Sequence, residues 1–232
     1  MNRVDNIRRE SGFTLIELML AMTFISLLLV AIAMTTIQIS NIYNKGLTLT
    51  AVNQAGRDVS ATMRRDIGAA MPLDTTADGE LVNYTVTSNG GRLCLGSYSY
   101  LWNYGSTLTD GVTGEMITYQ GTDEPVVLAR VQDKDAQLCA DLESQPDKAL
   151  ATELLTANDS LDLALHSLDF KEIAVDALTG QALYAVSFQV GTNEEGTLDS
   201  STCRPPDDAG ANPEFCAVNE FNIVVRAGGS QS

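Results

Sequence analysis

The stretch that most constrains this chain is an apolar run over residues 13–34, in which Glu17 is the only ionisable side chain. A helix of about 20 apolar residues is long enough to cross the hydrocarbon core of a bilayer. We therefore predict a transmembrane helix over residues 13–34. A carboxylate within such a helix is costly in lipid and usually pairs with another group. Glu17 is therefore expected to have a partner.

The residues on either side of this run predict its orientation and processing. Arg3, Arg8 and Arg9 precede it, and arginines that flank an apolar segment stay in the cytoplasm. The rest of the chain is therefore expected outside the cytoplasm. A secretory signal is cleaved after its apolar core, whereas here the small residue Gly12 lies before the core. Cleavage after Gly12 would keep the apolar run and leave a free amine on Phe13.

The sequence Gly12-Phe13-Thr14-Leu15-Ile16-Glu17 closely resembles the class III signal of type IV prepilins and type II secretion pseudopilins. The resemblance implies that residues 1–12 are a leader, that a prepilin peptidase cuts between Gly12 and Phe13, and that the new amine of Phe13 is methylated. It also implies an assembly contact, in which Glu17 neutralises the N-terminal amine of a neighbouring subunit. An unrelated signal anchor with a chance glutamate is the alternative.

Beyond the apolar run, residues 52–70 carry apolar side chains in steps of three and four, which is typical of one buried helix face. No proline occurs between residues 13 and 71, and Pro72 follows. We therefore predict one helix from about Thr14 to about Ala70, roughly 85 Å long, within a helical region of residues 13–71. Gly46 and Gly56 are expected to be weak points of this helix.

The end of the predicted helix contains Arg64-Arg65-Asp66. This end resembles that of W-type minor pilins and J-type pseudopilins. Many major pilins carry a proline in the apolar half of the helix, and its absence here favours a minor subunit. The alternative for these three residues is an exposed helical turn, in which Arg64 and Arg65 pair locally with Asp66.

Residues 72–232, which we call the head, are expected to form one β-rich domain outside the cytoplasm. Gly, Asn and Asp separate its short β-type runs, which predicts an antiparallel sheet. The expected fold is α+β and pilin-like, with the long N-terminal α-helix packed on the antiparallel β-sheet head. We predict strands over residues 81–88, 92–100, 116–120, 126–131, 168–177, 183–190 and 221–226, a turn at 89–91, and a short helix over 149–155.

The formal charge of −16 divides unevenly along the chain. Residues 1–65 hold seven Lys and Arg against four acids, so residues 66–232 carry a net charge of −19. An acidic surface repels nucleic-acid backbones and anionic lipid. We therefore expect no direct nucleic-acid partner.

The four cysteines are Cys94, Cys139, Cys203 and Cys216. An even number outside the cytoplasm indicates two disulfides, with three possible pairings. We favour Cys203 with Cys216, which closes a short loop, and Cys94 with Cys139. Zinc is the competing interpretation, but the cysteine spacing does not fit it. In pilin-like proteins a disulfide-bounded C-terminal region forms an exposed variable surface, so the loop over residues 191–217 is expected to face a partner.

The head offers little for catalysis, and we expect no enzyme activity, cofactor or metal. His166 is the single histidine and is expected to be structural. Oxygen ligands for calcium occur at Asp207-Asp208 with Glu214, and at residues 193–195, but solvated acids are the preferred interpretation. Trp102 lies near Tyr98, Tyr100 and Tyr104, and core packing is preferred there over a contact surface.

The resemblance implies a minor pilin that helps initiate type IV pilus assembly as part of a tip complex. Its partners would be prepilin peptidase, other major and minor pilins, the inner-membrane assembly platform and the inner membrane itself. The chain would be a single-pass inner-membrane protein before assembly and part of a pilus or pseudopilus filament afterwards. The alternatives are a J-type pseudopilin of type II secretion and a membrane-anchored extracytoplasmic binding protein that never polymerises.

Overall fold

The computed structural model describes residues 12–76, 80–110, 116–155, 161–193, 198–199 and 202–228. The chain separates into two units, residues 1–43 and 44–232. One long helix, α1 (Leu15–Ala69), belongs to both units. Its bounds lie within one residue of those predicted from the sequence at each end.

The apolar part of α1 exposes its side chains all around the helix. Leu15 is 76% exposed, and Leu27 and Ile37 are each more than half exposed. By length and composition, α1 could cross a membrane. A signal sequence near an N-terminus meets the same two criteria. A membrane anchor is therefore compatible with this part of the chain.

The second half of α1 buries the predicted apolar face against the head. Val52, Val59, Met63 and Ile67 are fully buried, and all belong to the main hydrophobic core. Their spacing of seven, four and four residues places them on one helix face and confirms the expected stripe.

Gly56 lies on the same buried face and is a close-contact position, not the weak point expected from the sequence. A Cβ added there would lie 2.1 Å from two ring atoms of Phe221. The Phe221 ring itself stacks on the buried Phe188, with 5.4 Å between ring centroids. The absence of a side chain at Gly56 thus lets an aromatic ring pack directly on the helix.

We predict that Gly56→Ala lowers the free energy of unfolding by about 1–3 kcal/mol, because the added methyl overpacks this contact. Gly46→Ala is the matched control, since no atom lies within 4 Å of a Cβ at that position. Alanine is the better helix former by about 1 kcal/mol, so Gly46→Ala should be neutral or stabilising. Denaturant unfolding measures both variants, and equal shifts in the two would contradict the contact.

Within its described residues, the head contains two antiparallel sheets and a small two-stranded ribbon. In both sheets the strands lie side by side in their chain order. The five strands are β1 (Tyr84–Val86), β2 (Gly90–Cys94), β3 (Tyr98–Asn103), β4 (Leu128–Gln132) and β5 (Ala151–Glu153). The three are β6 (Leu163–Val175), β7 (Ala182–Thr192) and β10 (Val218–Ala227), and the ribbon pairs β8 (Leu198–Asp199) with β9 (Thr202–Cys203).

Short helices connect some of these strands. They are α2 (Gly105–Asp110), α3 (Gln137–Ala140) and two 3-10 turns, Lys134–Ala136 and Lys148–Leu150. The helix plus antiparallel sheets make the fold α+β.

The first predicted hairpin differs from the structure in its turns. The single strand predicted over residues 92–100 is two strands, β2 and β3, because Gly96 turns the chain with a φ of +90°. Gly90 and Gly91 belong to β2 and not to the turn. A Cβ on Gly91 would lie 2.4 Å from the Trp102 ring, so these glycines make room for the neighbouring strand.

Other predicted elements also shift. Residues 116–120 form no strand and contribute a single bridge between Thr118 and Pro125. The helix predicted over residues 149–155 is wrong: only Lys148–Leu150 forms a 3-10 turn, and β5 follows because it pairs with β4. The strands predicted over 168–177, 183–190 and 221–226 exist and are longer, as β6, β7 and β10.

The aromatic cluster lies in the core, as preferred from the sequence. Trp102 and Tyr100 are fully buried, while Tyr98 and Tyr104 are partly exposed. The core is formed by α1 and both sheets. A second, smaller cluster around Leu101 packs on the opposite face of the five-stranded sheet.

Candidate functional sites

The segment that the sequence singles out lies at the start of α1. Gly12 and Phe13 precede the helix and are exposed. Among the described residues, no atom other than those of the chain neighbours lies within 4 Å of a Cβ position on Gly12. None of the described residues therefore covers the bond between Gly12 and Phe13.

Thr14 and Glu17 form reciprocal hydrogen bonds at the first turn of α1. The Thr14 backbone N–H and hydroxyl both donate to Glu17 Oε2, at 3.1 and 2.9 Å. The Glu17 backbone N–H donates to Thr14 Oγ1 at 3.3 Å. This is a capping box, in which two residues satisfy N–H groups that the first helical turn leaves unpaired.

The capping box gives Glu17 a local role that the sequence interpretation missed. The spacing Thr-x-x-Glu before an apolar run is its signature and could have revealed it. Glu17 remains exposed, and its hydrogen bonds within the described residues all go to Thr14. A capped Glu17 can still accept a further donor, because a carboxylate has about four acceptor sites.

Asp66 occupies a buried polar cluster between α1 and the five-stranded sheet. The Arg130 guanidinium donates to both carboxylate oxygens, from Nε at 2.5 Å and from Nη2 at 3.1 Å. The Tyr100 hydroxyl also donates to Asp66, at 2.6 Å. The side chains of Asp66 and Arg130 are only 4% and 16% exposed.

This cluster corrects the interpretation of Arg64-Arg65-Asp66 as an exposed turn. Arg64 and Arg65 are exposed, but Asp66 is buried. The local contact from Arg65 Nε is 3.3 Å long and comes from a side chain that is 67% exposed. Asp66 therefore joins α1 to the five-stranded sheet, and its main partner, Arg130, lies 64 residues away in β4.

Burial and hydrogen bonding act in opposite directions on the pKa of Asp66. Burial acts to raise the pKa of Asp66, but the hydrogen bonds from Arg130 and Tyr100 outweigh it and hold that pKa below its usual value. The hydrogen bond to Asp66 raises the pKa of Arg130. The pair is thus ionised at neutral pH.

The structure joins Cys94 to Cys139 and Cys203 to Cys216, with Cα atoms 6.1 and 5.8 Å apart. These are the pairings favoured from the sequence. All four cysteines of the chain lie in the described residues and are paired.

Arg92 holds the chain segment over residues 138–144, which contains Cys139. Its guanidinium donates to the carbonyls of Leu138 at 2.7 Å, Ser144 at 2.8 Å and Leu142 at 2.7 Å. Burial lowers the pKa of Arg92, while the charge of Asp141 acts in the opposite direction and the carbonyl dipoles also stabilise the guanidinium. No local pattern in the sequence indicates this contact.

The C-terminal loop is partly attached to α1. Lys45 Nζ donates to the carbonyl of Cys216 at 2.5 Å, and Thr48 Oγ1 donates to that of Glu214 at 3.1 Å. Cys216 is buried, whereas Asp207 and Asp208 are exposed. Of the loop expected to face a partner, the part around Asp207 is therefore accessible and the Cys216 end is packed.

His166 and the acids considered for metal binding show no assembled site within the described residues. His166 Nε2 lies 3.2 Å from the carbonyl oxygen of Thr192, and burial lowers the pKa of the imidazole. Glu194 and Glu195 lie outside the described residues. Across the described residues, no group of three His, Cys, Asp or Glu side chains could hold a metal ion.

No protein-family model, no curated protein sequence and no solved structure matches this chain significantly.

Proposed function

We propose that this chain is a minor subunit of a type IV filament that helps to initiate pilus assembly in a tip complex. The observation that carries the proposal is the exposed Gly12–Phe13 bond directly before a helix of 55 residues. The helix exposes apolar side chains over its first half and packs into a folded domain with its second.

Processing would change the electrostatics of the N-terminus. Removal of residues 1–12 takes away Arg3, Arg8 and Arg9 and leaves a positive amine on Phe13. In an apolar filament core, an unpaired amine and an unpaired carboxylate are each strongly unfavourable. An amine from one subunit that meets Glu17 of the next removes both penalties and sets the register between them.

The exposed apolar half of α1 would serve two successive environments. Before assembly it would lie in the inner membrane, where an apolar surface is favoured. In a filament the same side chains would pack against the helices of neighbouring subunits. The assembly platform would transfer the subunit between them, and the acidic head would remain outside.

Cleavage by prepilin peptidase tests the first step. Gly12→Val is expected to abolish removal of the leader in membranes that contain the peptidase, because a branched side chain replaces the small residue at the cut. Gly46→Ala is the matched control and should be cleaved as the unaltered chain is. N-terminal sequencing reads the product, and equal cleavage of Gly12→Val would contradict the proposed processing site.

A further inference from the structure

Two sheet edges face each other across a cleft in the head. β1 is the edge strand of the five-stranded sheet, and β6 is an edge strand of the three-stranded sheet. Residues 84–86 line one side and residues 169–172 line the other, around a volume of about 810 Å³. Unpaired edges are sites where another strand can add.

The Tyr84 side chain already bridges the two edges at one point. Its hydroxyl donates to the carbonyl of Leu168 at 3.1 Å and accepts from the backbone N–H of Phe170 at 3.2 Å. A residue of an adjacent strand would make this same pair of bonds. Burial raises the pKa of Tyr84 to about 12, so the hydroxyl keeps the proton that it donates.

Beyond Tyr84, each of the two edge strands has backbone groups that face away from its own sheet. On β1, the carbonyl of Asn83 and the N–H of Thr87 bond toward β2, so the alternation of an antiparallel strand turns the N–H and C=O of Val86 away from β2. On β6, the N–H of Phe170 donates to Tyr84, so the same alternation turns the N–H of Glu172 away from β7. Glu172 is the last residue before the register between β6 and β7 shifts.

We propose that this cleft binds an extended segment of a different polypeptide, rich in Lys or Arg, as an added strand between β1 and β6. The backbone groups of Val86 and Glu172 would supply main-chain hydrogen bonds, as in other cases of β-strand addition. The inference concerns the head alone and does not rest on the proposed function.

The charges that line the cleft indicate which kind of segment would bind there. Glu80, Asp169 and Glu172 line the cleft with one cation, Lys171, whose Nζ pairs with Asp169 at 2.5 Å. The described residues that line the cleft therefore carry a net negative charge. A second copy of this chain is a poor occupant, because each copy carries a net charge of −16. A basic segment complements the cleft.

The test uses the full chain in detergent and a fluorescent peptide of about eight residues in which Lys and Val alternate. We expect the peptide to bind, and an analogue with Glu in place of Lys to bind at least about tenfold more weakly. Methylation of the peptide's alternate backbone nitrogens should also weaken binding about tenfold, because it removes the main-chain donors. Binding that is insensitive to this methylation would overturn strand addition.

Variants and hydrogen exchange locate the binding. Glu172→Gln should weaken binding about threefold, whereas Asp123→Asn, an exposed acid outside the cleft, should leave it unchanged. Bound peptide should protect the amides of Val86 and Glu172, and leave those of β5, the opposite edge of the sheet, unaffected. No binding at millimolar peptide, or self-association of the chain in place of peptide binding, would overturn the proposal.

Discussion

Arg130→Met is expected to destabilise the head by about 3–5 kcal/mol, because it leaves the buried carboxylate of Asp66 without its counter-ion. Arg130 binds both carboxylate oxygens of Asp66, whose side chain is only 4% exposed. Loss of this pair should therefore cost more stability than loss of an ordinary surface ion pair. Urea unfolding followed by fluorescence measures the loss, since Trp102 is the chain's single tryptophan and is fully buried.

Two further variants isolate the cause. Arg65→Met, which removes the exposed neighbour of Asp66, should change the free energy of unfolding by less than about 0.5 kcal/mol. Asp66→Leu combined with Arg130→Met should be more stable than Arg130→Met alone, because no charge is then buried unpaired. A double variant that loses the sum of both single effects would contradict this account.

The same pair has a pH dependence of defined sign. The pKa of Asp66 is depressed in the folded chain, so its stabilising contribution is present above its unfolded pKa of about 3.9 and is lost as pH falls through the folded value. The difference in stability between the unaltered chain and Arg130→Met should therefore shrink below about pH 4. A difference that is constant from neutral to acid pH would exclude an ionic origin.

Glu17→Gln is expected to abolish incorporation into filaments while leaving the start of α1 intact. Glutamine can replace glutamate in a capping box, so the hydrogen bonds with Thr14 are retained and only the negative charge is lost. The complementary variant, Thr14→Ala, removes the hydrogen bonds of the capping box at a cost of about 1 kcal/mol but keeps the negative charge of Glu17. It should still assemble.

These two variants distinguish the two roles that Glu17 can have. Immunoblots of sheared filaments and of membranes measure where each variant accumulates, and the membrane fraction shows that the variant is produced. If Thr14→Ala fails to assemble while Glu17→Gln assembles normally, Glu17 acts as a helix cap and the proposed contact with a neighbour's amine is wrong.

Local patterns in the sequence predict the parts of this structure that depend on neighbouring residues. The bounds of α1 follow from an apolar stripe and from Pro72, and both depend on residues close in the chain. The alternation in β7 and β10 likewise predicts two strands correctly. The segment over residues 149–155 shows the limit, because pairing with β4 decides its conformation against its local preference.

Contacts between distant residues could not be predicted in the same way. Asp66 is paired with Arg130 across 64 residues, and Gly56 packs on Phe221. Neither partner is marked by spacing or motif. The sequence therefore allows an exposed turn at Asp66 as one interpretation and predicts that Gly56 weakens the helix. The Thr14–Glu17 capping box is different, since its spacing was visible in the sequence.

The N-terminus of the chain in sheared filaments tests the central claim most directly. Mass spectrometry of the filament fraction should find this chain beginning at Phe13, with one methyl group on its amine and without residues 1–12. A chain that retains residues 1–12, remains entirely in the membrane fraction and is absent from filaments would contradict the account and favour a membrane-anchored protein that does not polymerise.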